Sequence, residues 1–324
     1  MVSLKGRHHI IVNKKQAIFY DILLVNCLAL FSMPQYIFIY DHHGVGPNSR
    51  DDLKEFFTNY PIYREANVQL SDFNCNFDGL SAAQITFVLP GGSTYTMGKY
   101  LKFHQNKMQT LIEAGSHGLF ICAGAYLAVA EAEIFCDHYI KQPGDHDFSP
   151  LRFWMNTAEQ NLNLNFLPEY KAWGSFIPNE TYLAYPQDKL SSRTLKPYLT
   201  SLCFSHHRFY SRELFIAGCG FESLTQEAEV VATYTDKDQY SFFSPGKKAK
   251  IMANMPAIVR KPGLLASGVH IEACVENSKL LSLMSEGKNT NPPSVLALST
   301  DLSYDAKSSR AAFIPLLQDT FRPR

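Results

Sequence analysis

The chain has 324 residues, 46% hydrophobic and 19% charged, enough to bury a full core in one large domain or two small ones. Lys and Arg number 30 and are matched by 30 Asp and Glu, so no electrostatic footprint for nucleic acid or an anionic membrane is expected, and small or neutral partners are favoured. Seven cysteines, at 27, 75, 122, 136, 203, 219 and 274, form no CxxC pair; this argues against a zinc knuckle or a disulfide framework and fits reduced thiols.

Residues 1–34 read as an N-terminal extension. Lys5, Arg7, Lys14 and Lys15 precede an apolar run from Ala17 to Phe31, the order of charge and apolarity found in a signal peptide. Asp21 and Asn26 inside the run, and the lack of an A-x-A site after it, fit an added helix or a start at Met33 instead. The run is too short and too interrupted for a stable membrane span. A cytoplasmic protein is expected, or an exported one if residues 1–32 act as a signal peptide.

From Tyr36 the pattern is α/β. Tyr36 to Tyr40 (YIFIY) reads as a strand closed by Asp41, and Asn48 or Ser49 is placed to cap a helix near 50–59. Ile85 to Leu89 is a second apolar strand, stopped by Pro90-Gly91-Gly92. A helix is expected over 99–114, ended by Gly115, and a strand over 118–122 running straight into a small-residue helix, AGAYLAVAEAE. Residues 140–200 give no clear signal. Strands return at 213–217, 229–234, 257–260 and 263–270, and 277–324 reads as an appended tail. Continuous apolar strands separated by helices predict a mainly parallel sheet covered on both faces, a three-layer sandwich.

Three stretches carry chemistry. A strand that runs directly into a helix holds the junction side chain, Cys122, above the carboxyl edge of the sheet, where a helix N-terminus favours a thiolate. Downstream, His270 and Glu272 are two apart and face one side if the chain is extended there. A carboxylate beside an imidazole orients it to take a thiol proton. Between them in function, the Gly91-Gly92 turn offers backbone N–H groups to a developing oxyanion. Each element alone also has a plain reading: a buried cysteine, a solvated strand end, a tight turn. Their order along the chain is the informative part.

That order, with IYDHHGVGPNS, FVLPGGSTYTMGKYL, GLFICAGAYLAVAEAE, LFIAGCGFE and AIVRKPGLLASGVHIEA, resembles the class I glutamine amidotransferase-like superfamily, and within it the biotin-protein ligase N-terminal domain family. The resemblance spans 36–276 and implies one flavodoxin-like domain over 35–276. It implies Cys122 as nucleophile, His270 as base, Glu272 as its orienter, and Gly91, Gly92 and Ala123 around the oxyanion. Asp41, His42, Tyr95, Tyr126, Gly218 and Gly220 are expected around the pocket. Phe120 and Ile271 stand where amidotransferases commonly have glycine and proline, and Cys219 interrupts the glycine run at 218–220. No GRGR-like or KWPND-like segment of a biotin ligase is found.

The expected function is thiolate attack on a small-molecule or peptide amide, without ligase activity, without a cofactor or metal, and with an ammonia-accepting or ligase partner protein. The alternatives are a non-catalytic binding or regulatory module of the same fold, and a PfpI-like redox or carbonyl-detoxifying protein. His206 and His207 are adjacent and would face opposite ways on an extended chain, which speaks against a metal site there.

Overall fold

A computed structural model describes residues 36–59, 63, 66–74, 77–140, 149–174, 176–178, 198–205, 209–215, 218–226, 228–235, 240–242, 250–272 and 306–321. The expected extension at 1–34, the histidines at 206–207 and much of 277–324 lie outside these residues.

The main sheet begins with β1 (Tyr36–Tyr40), β2 (Asn67–Ser71), β3 (Ile85–Leu89) and β4 (His117–Ile121). A second group, β5 (Val129–Ile140), β6 (Ser149–Asn156), β7 (Leu167–Gly174) and β8 (Phe176–Pro178), follows. Then come β9 (Tyr198–Phe204), β10 (Phe209–Phe215), β11 (Cys219–Ser223), β12 (Glu229–Tyr234), β13 (Tyr240–Phe242) and β14 (Lys250–Ile251). The last two are β15 (Pro256–Lys261) and β16 (Leu264–Ser267). The helices are α1 (Pro47–Asn59), α2 (Thr94–Leu101), α3 (Gln105–Glu113), α4 (Ala123–Ala128) and α5 (Ala306–Thr320).

Nine strands form one sheet in the order β10-β9-β12-β15-β16-β4-β3-β1-β2. The half from β2 to β16 is parallel, whereas β15, β12, β9 and β10 are added by antiparallel pairings. A four-stranded sheet, β11-β7-β5-β6, and a three-stranded one, β14-β13-β8, complete the strands.

Successive side chains of a strand point to opposite faces, so each apolar strand feeds two cores. Ile37, Ile39, Val88, Leu119, Ile121 and Leu265 pack on one face with Leu53, Phe56 and Phe57 of α1 and with Phe313, Leu316 and Leu317 of α5. Phe38, Tyr40, Phe87, Leu89 and Phe120 pack on the other with Met97 and Leu101 of α2, Met108 of α3 and Leu127 of α4. This is the three-layer α/β arrangement expected from the sequence. Among the described residues no helix is long and apolar enough to cross a membrane.

The segment AGAYLAVAEAE departs from expectation. Only Ala123–Ala128 is helical; from Val129 the chain is β5, paired in parallel with β7 and antiparallel with β6. Ala and Glu favour a helix, but their preference is a few tenths of a kcal/mol per residue, roughly, and strand pairing outweighs it. Helix α1 begins at Pro47, before the expected cap, with proline in the first turn where its missing N–H costs nothing. Strands β6 and β7 occupy part of the stretch that the sequence leaves unassigned.

The C-terminal helix is part of this packing. Besides its three apolar side chains in the core, Gly263 donates its N–H to the Thr320 carbonyl at 3.1 Å. The ring of Phe321, just beyond α5, lies 5.3 Å from that of His117 at the start of β4.

Candidate active site

The site forms where β3, β4 and β16 end at the carboxyl edge of the parallel half. Ile121 closes β4, and Cys122 follows with φ 51° and ψ −106°, a conformation that residues other than glycine rarely adopt and that clusters at functional sites. Neighbouring backbone holds it there: Cys122 donates its N–H to the Ser267 carbonyl at 2.9 Å, and Tyr126 donates to the Cys122 carbonyl at 3.0 Å. The turn demands small residues after it. A Cβ on Gly124 would lie 2.3 Å from the Leu89 carbonyl oxygen, so only glycine lets α4 cross the end of β3.

His270 and Glu272 come together by a different route from the one expected. Strand β16 stops at Ser267, whose hydroxyl donates to the Val269 carbonyl at 2.8 Å, and Ile271 donates its N–H to the same oxygen at 3.1 Å. The chain is therefore tightly turned rather than extended. His270 Nδ1 lies 2.8 Å from Glu272 Oε1, and both residues are buried. The Cys122 side chain lies beside the same imidazole, within hydrogen-bonding reach of it. Burial pushes His270 down; the Glu272 carboxylate and then Cys122 oppose this and hold the imidazole well above its ordinary value.

The Pro90–Gly92 turn covers this pair. A Cβ on Gly91 would lie 2.6 Å from His270 Cε1 and 3.4 Å from Cys122 Cβ. The loop after β1 clamps the turn: Gly46 donates to the Gly91 carbonyl at 2.8 Å, and Ser93 donates to the Gly44 carbonyl at 2.7 Å. The Gly91 N–H is already used, donated to Ser49 Oγ at 3.0 Å. Among the described residues, the backbone hydrogen bonds of the turn and of the start of α4 leave the N–H groups of Gly92 and Ala123 uncommitted.

Ser49 is the residue that sequence reasoning missed. The sequence offers it as a helix cap, but it lies inside the first turn of α1 and its hydroxyl donates to Glu272 Oε1 at 2.7 Å. A helix-starting serine and a carboxylate 223 positions away share no signal along the chain.

The expected pocket residues divide into two groups. Gly218 and Gly220 are buried and flank Cys219, whose carbonyl accepts from Tyr234 at 2.6 Å and abuts Gly268. Burial pushes the Cys219 thiol well up, and Cys122 adds to the effect, so this turn neighbours the nucleophile. The others have partners of their own. Tyr126 packs in the opposite core and donates to the Gly218 carbonyl at 2.5 Å. Tyr95 lies under Lys99, with the ammonium 4.3 Å from the ring centre. Asp41 pairs with Arg50 at 2.6 Å. His42 stacks on Tyr100 at 4.3 Å, with His43 edge-on to it at 4.1 Å. Among the described residues no three His, Cys, Asp or Glu side chains are grouped to hold a metal ion.

Several solved structures are similar to this chain, among them two glutamine amidotransferases. One is a crystal structure of a glutamine amidotransferase, 18% identical, with 77% of this chain and 97% of that chain covered and a TM-score of 0.45. The second is a glutamine amidotransferase from Thermotoga maritima, 13% identical, covering 89% and 98%, with a TM-score of 0.46. No family model matches the chain, and no curated protein does.

Proposed function

We propose that this protein is a cysteine-nucleophile amidohydrolase or amidotransferase-like enzyme related to the biotin-protein ligase N-terminal domains, without ligase activity. The observation that carries the proposal is the contact of Cys122, held at positive φ, with a buried imidazole whose Nδ1 meets a buried carboxylate.

In this reading the Cys122 sulfur attacks an amide carbonyl and a C–S bond forms. His270 accepts the thiol proton and delivers it to the departing nitrogen as the C–N bond breaks, leaving a thioester and an amine or ammonia. Water then attacks the thioester, giving a proton to His270, which returns it to sulfur as the acid leaves. Glu272 keeps the ring aimed. With the Gly91 N–H spent on Ser49, the oxyanion falls to the N–H groups of Gly92 and Ala123. Release of ammonia implies either free hydrolysis or a partner protein that accepts it.

The test is turnover on a panel of primary carboxamides, peptide amides and thioesters, read as ammonia or thiol release. Wild type is expected to turn over at least one of them. Cys122→Ser and His270→Ala are each expected to lose about a thousandfold or more. Absence of turnover together with a Cys122 inert to iodoacetamide overturns the proposal in favour of a binding module. Reactivity of Cys122 that survives His270→Ala with no amide turnover moves it to redox chemistry.

A further inference from the structure

Ser49 occupies a place that neither a helix cap nor core packing explains. It is 2% exposed, sits in α1, and its single hydroxyl joins two segments remote in sequence: the turn before the expected oxyanion donors and the carboxylate behind the base. The direction of both bonds follows from chemistry. An amide N–H only donates, so the Gly91 N–H must give its proton to Oγ. The one hydroxyl proton is then left for Glu272, and Oε1 must accept it.

That constraint propagates to His270. Oε1 is also the atom that meets His270 Nδ1, at 2.8 Å. An oxygen already serving as an acceptor for Ser49 is best matched by a proton on Nδ1. While Cys122 keeps its proton, the imidazole is thereby held in the tautomer with a bare Nε2, the form a base needs; once that proton moves, Glu272 and the thiolate hold it on the ring. The second carboxylate oxygen, Oε2, is buried with no hydrogen-bond partner among the described residues, so Oε1 alone carries both contacts. Among the described residues, the titratable groups that act on His270 are Glu272 and Cys122.

From this geometry we infer that Ser49 is a positioning residue of the catalytic apparatus: through Glu272 it fixes the tautomer and aim of His270, and through the Gly91 N–H it ties the oxyanion turn to that same carboxylate. The inference rests on the reading of Cys122 and His270 as nucleophile and base. It makes the triad a four-residue relay in which α1 sets the distance between the donor turn and the base. A residue that merely filled space would touch both segments without dictating proton positions.

The experiment compares iodoacetamide alkylation of Cys122 from pH 5.5 to 9.5 in wild type, Ser49→Ala, Ser49→Thr and His270→Ala. It is accompanied by the ¹⁵N ring shifts of His270 at about pH 9.5 with and without Ser49→Ala, both in a Cys122→Ser background where no thiolate holds a second proton on the ring. Ser49→Ala is expected to displace the rate profile by about one unit to higher pH, a loss of about tenfold near pH 7. That loss disappears at pH 9.5, where thiol ionisation no longer needs a base. Ser49→Thr retains the hydroxyl and is expected to stay close to wild type. The ring shifts are expected to pass from a single Nδ1–H tautomer to a mixture in Ser49→Ala. A Ser49→Ala profile that superimposes on wild type, or one lowered equally at every pH, overturns the inference, as does an unchanged tautomer. Because His270→Ala runs alongside, an unaltered profile there overturns the base assignment itself and this inference with it. A change in His270→Ala with none in Ser49→Ala removes Ser49 alone.

Discussion

Gly91 has no room for a side chain because His270 is there: a Cβ would stand 2.6 Å from Cε1 of the ring, well inside contact distance. Gly91 is not among the residues with positive φ, so its backbone alone would accept alanine. What glycine provides is access, allowing the oxyanion turn to lie directly over the imidazole and the nucleophile.

Gly91→Ala is therefore expected to act on reactivity more than on folding. The added methyl must push the His270 ring off Cys122 or lift the Pro90–Gly92 turn away from α4. Either movement parts groups that have to be within hydrogen-bond reach. Iodoacetamide labelling of Cys122 near neutral pH is expected to fall by about tenfold or more, and thermal denaturation to show a cost of about 1–3 kcal/mol, typical of an overpacked site. Labelling at the wild-type rate in a folded variant would show that Gly91 and His270 are not in contact.

How much of this was readable beforehand depends on whether the cause is local. The stops of β3 at Pro90 and of β4 at Cys122 are written as abrupt ends of apolar runs, and Cys122, His270 and Glu272 stand at or just beyond such ends. Strand direction is not written that way. β12 and β15 read as strands, yet nothing in GLU-VAL-VAL or ALA-ILE-VAL says that they pair antiparallel. The termination of α4 after Ala128 depends on β6 and β7, which supply the partners for β5. Ser49 is hidden for the same reason, since the residues that give it a role are far along the chain. His42, just after β1, and Tyr126, as a pocket wall, are expected around the site, and their partners in the fold are not written in the sequence. The ring of Tyr100 holds the first, and the Gly218 carbonyl holds the second.

His117 gives the protein a titratable group at the opposite end of β4 from Cys122. Burial pushes it down to about 4, with a smaller opposing contribution from the Ala83 backbone. A depressed histidine binds its proton more weakly in the folded chain than in the unfolded one. Its contribution is neutral above the unfolded value of about 6.5. Stability is then lost as pH falls from about 6.5 toward 4, by about 3 kcal/mol at most for this shift. Urea denaturation of wild type and His117→Leu at pH 7.5 and pH 4.5 checks this. The variant is expected to lose less stability than wild type between the two pH values, because leucine has no proton to take up. Since Phe321 packs on this ring, loosening of α5 should accompany the acid loss in wild type. Equal losses in the two proteins would assign the acid sensitivity to other groups.

Gly268 is the position where the smallest substitution is expected to do the most damage. Its Cβ would stand 1.9 Å from the Cys219 carbonyl oxygen and 2.8 Å from the carbonyl carbon. Those are backbone atoms of a segment paired with β7, and the oxygen already accepts the Tyr234 hydroxyl at 2.6 Å. A flexible side chain could swing aside, as the His270 ring can for Gly91; this carbonyl cannot move without breaking its hydrogen bond or the strand pairing. The neighbouring N–H of Gly268 is also fixed, donated to the Ala257 carbonyl at 2.9 Å, so the turn cannot retreat cheaply either. Gly268→Ala is expected to cost more than about 4 kcal/mol, in the range reserved for strain that the surroundings cannot relieve. It should appear as insoluble or unfolded protein, or as a melting temperature lowered by more than about 8 °C. A soluble Gly268→Ala variant with a wild-type melt would mean that the 218–220 turn does not press on the chain leading to His270. The route by which this sheet edge aims its base would then have to run through Ser267 and Glu272 alone.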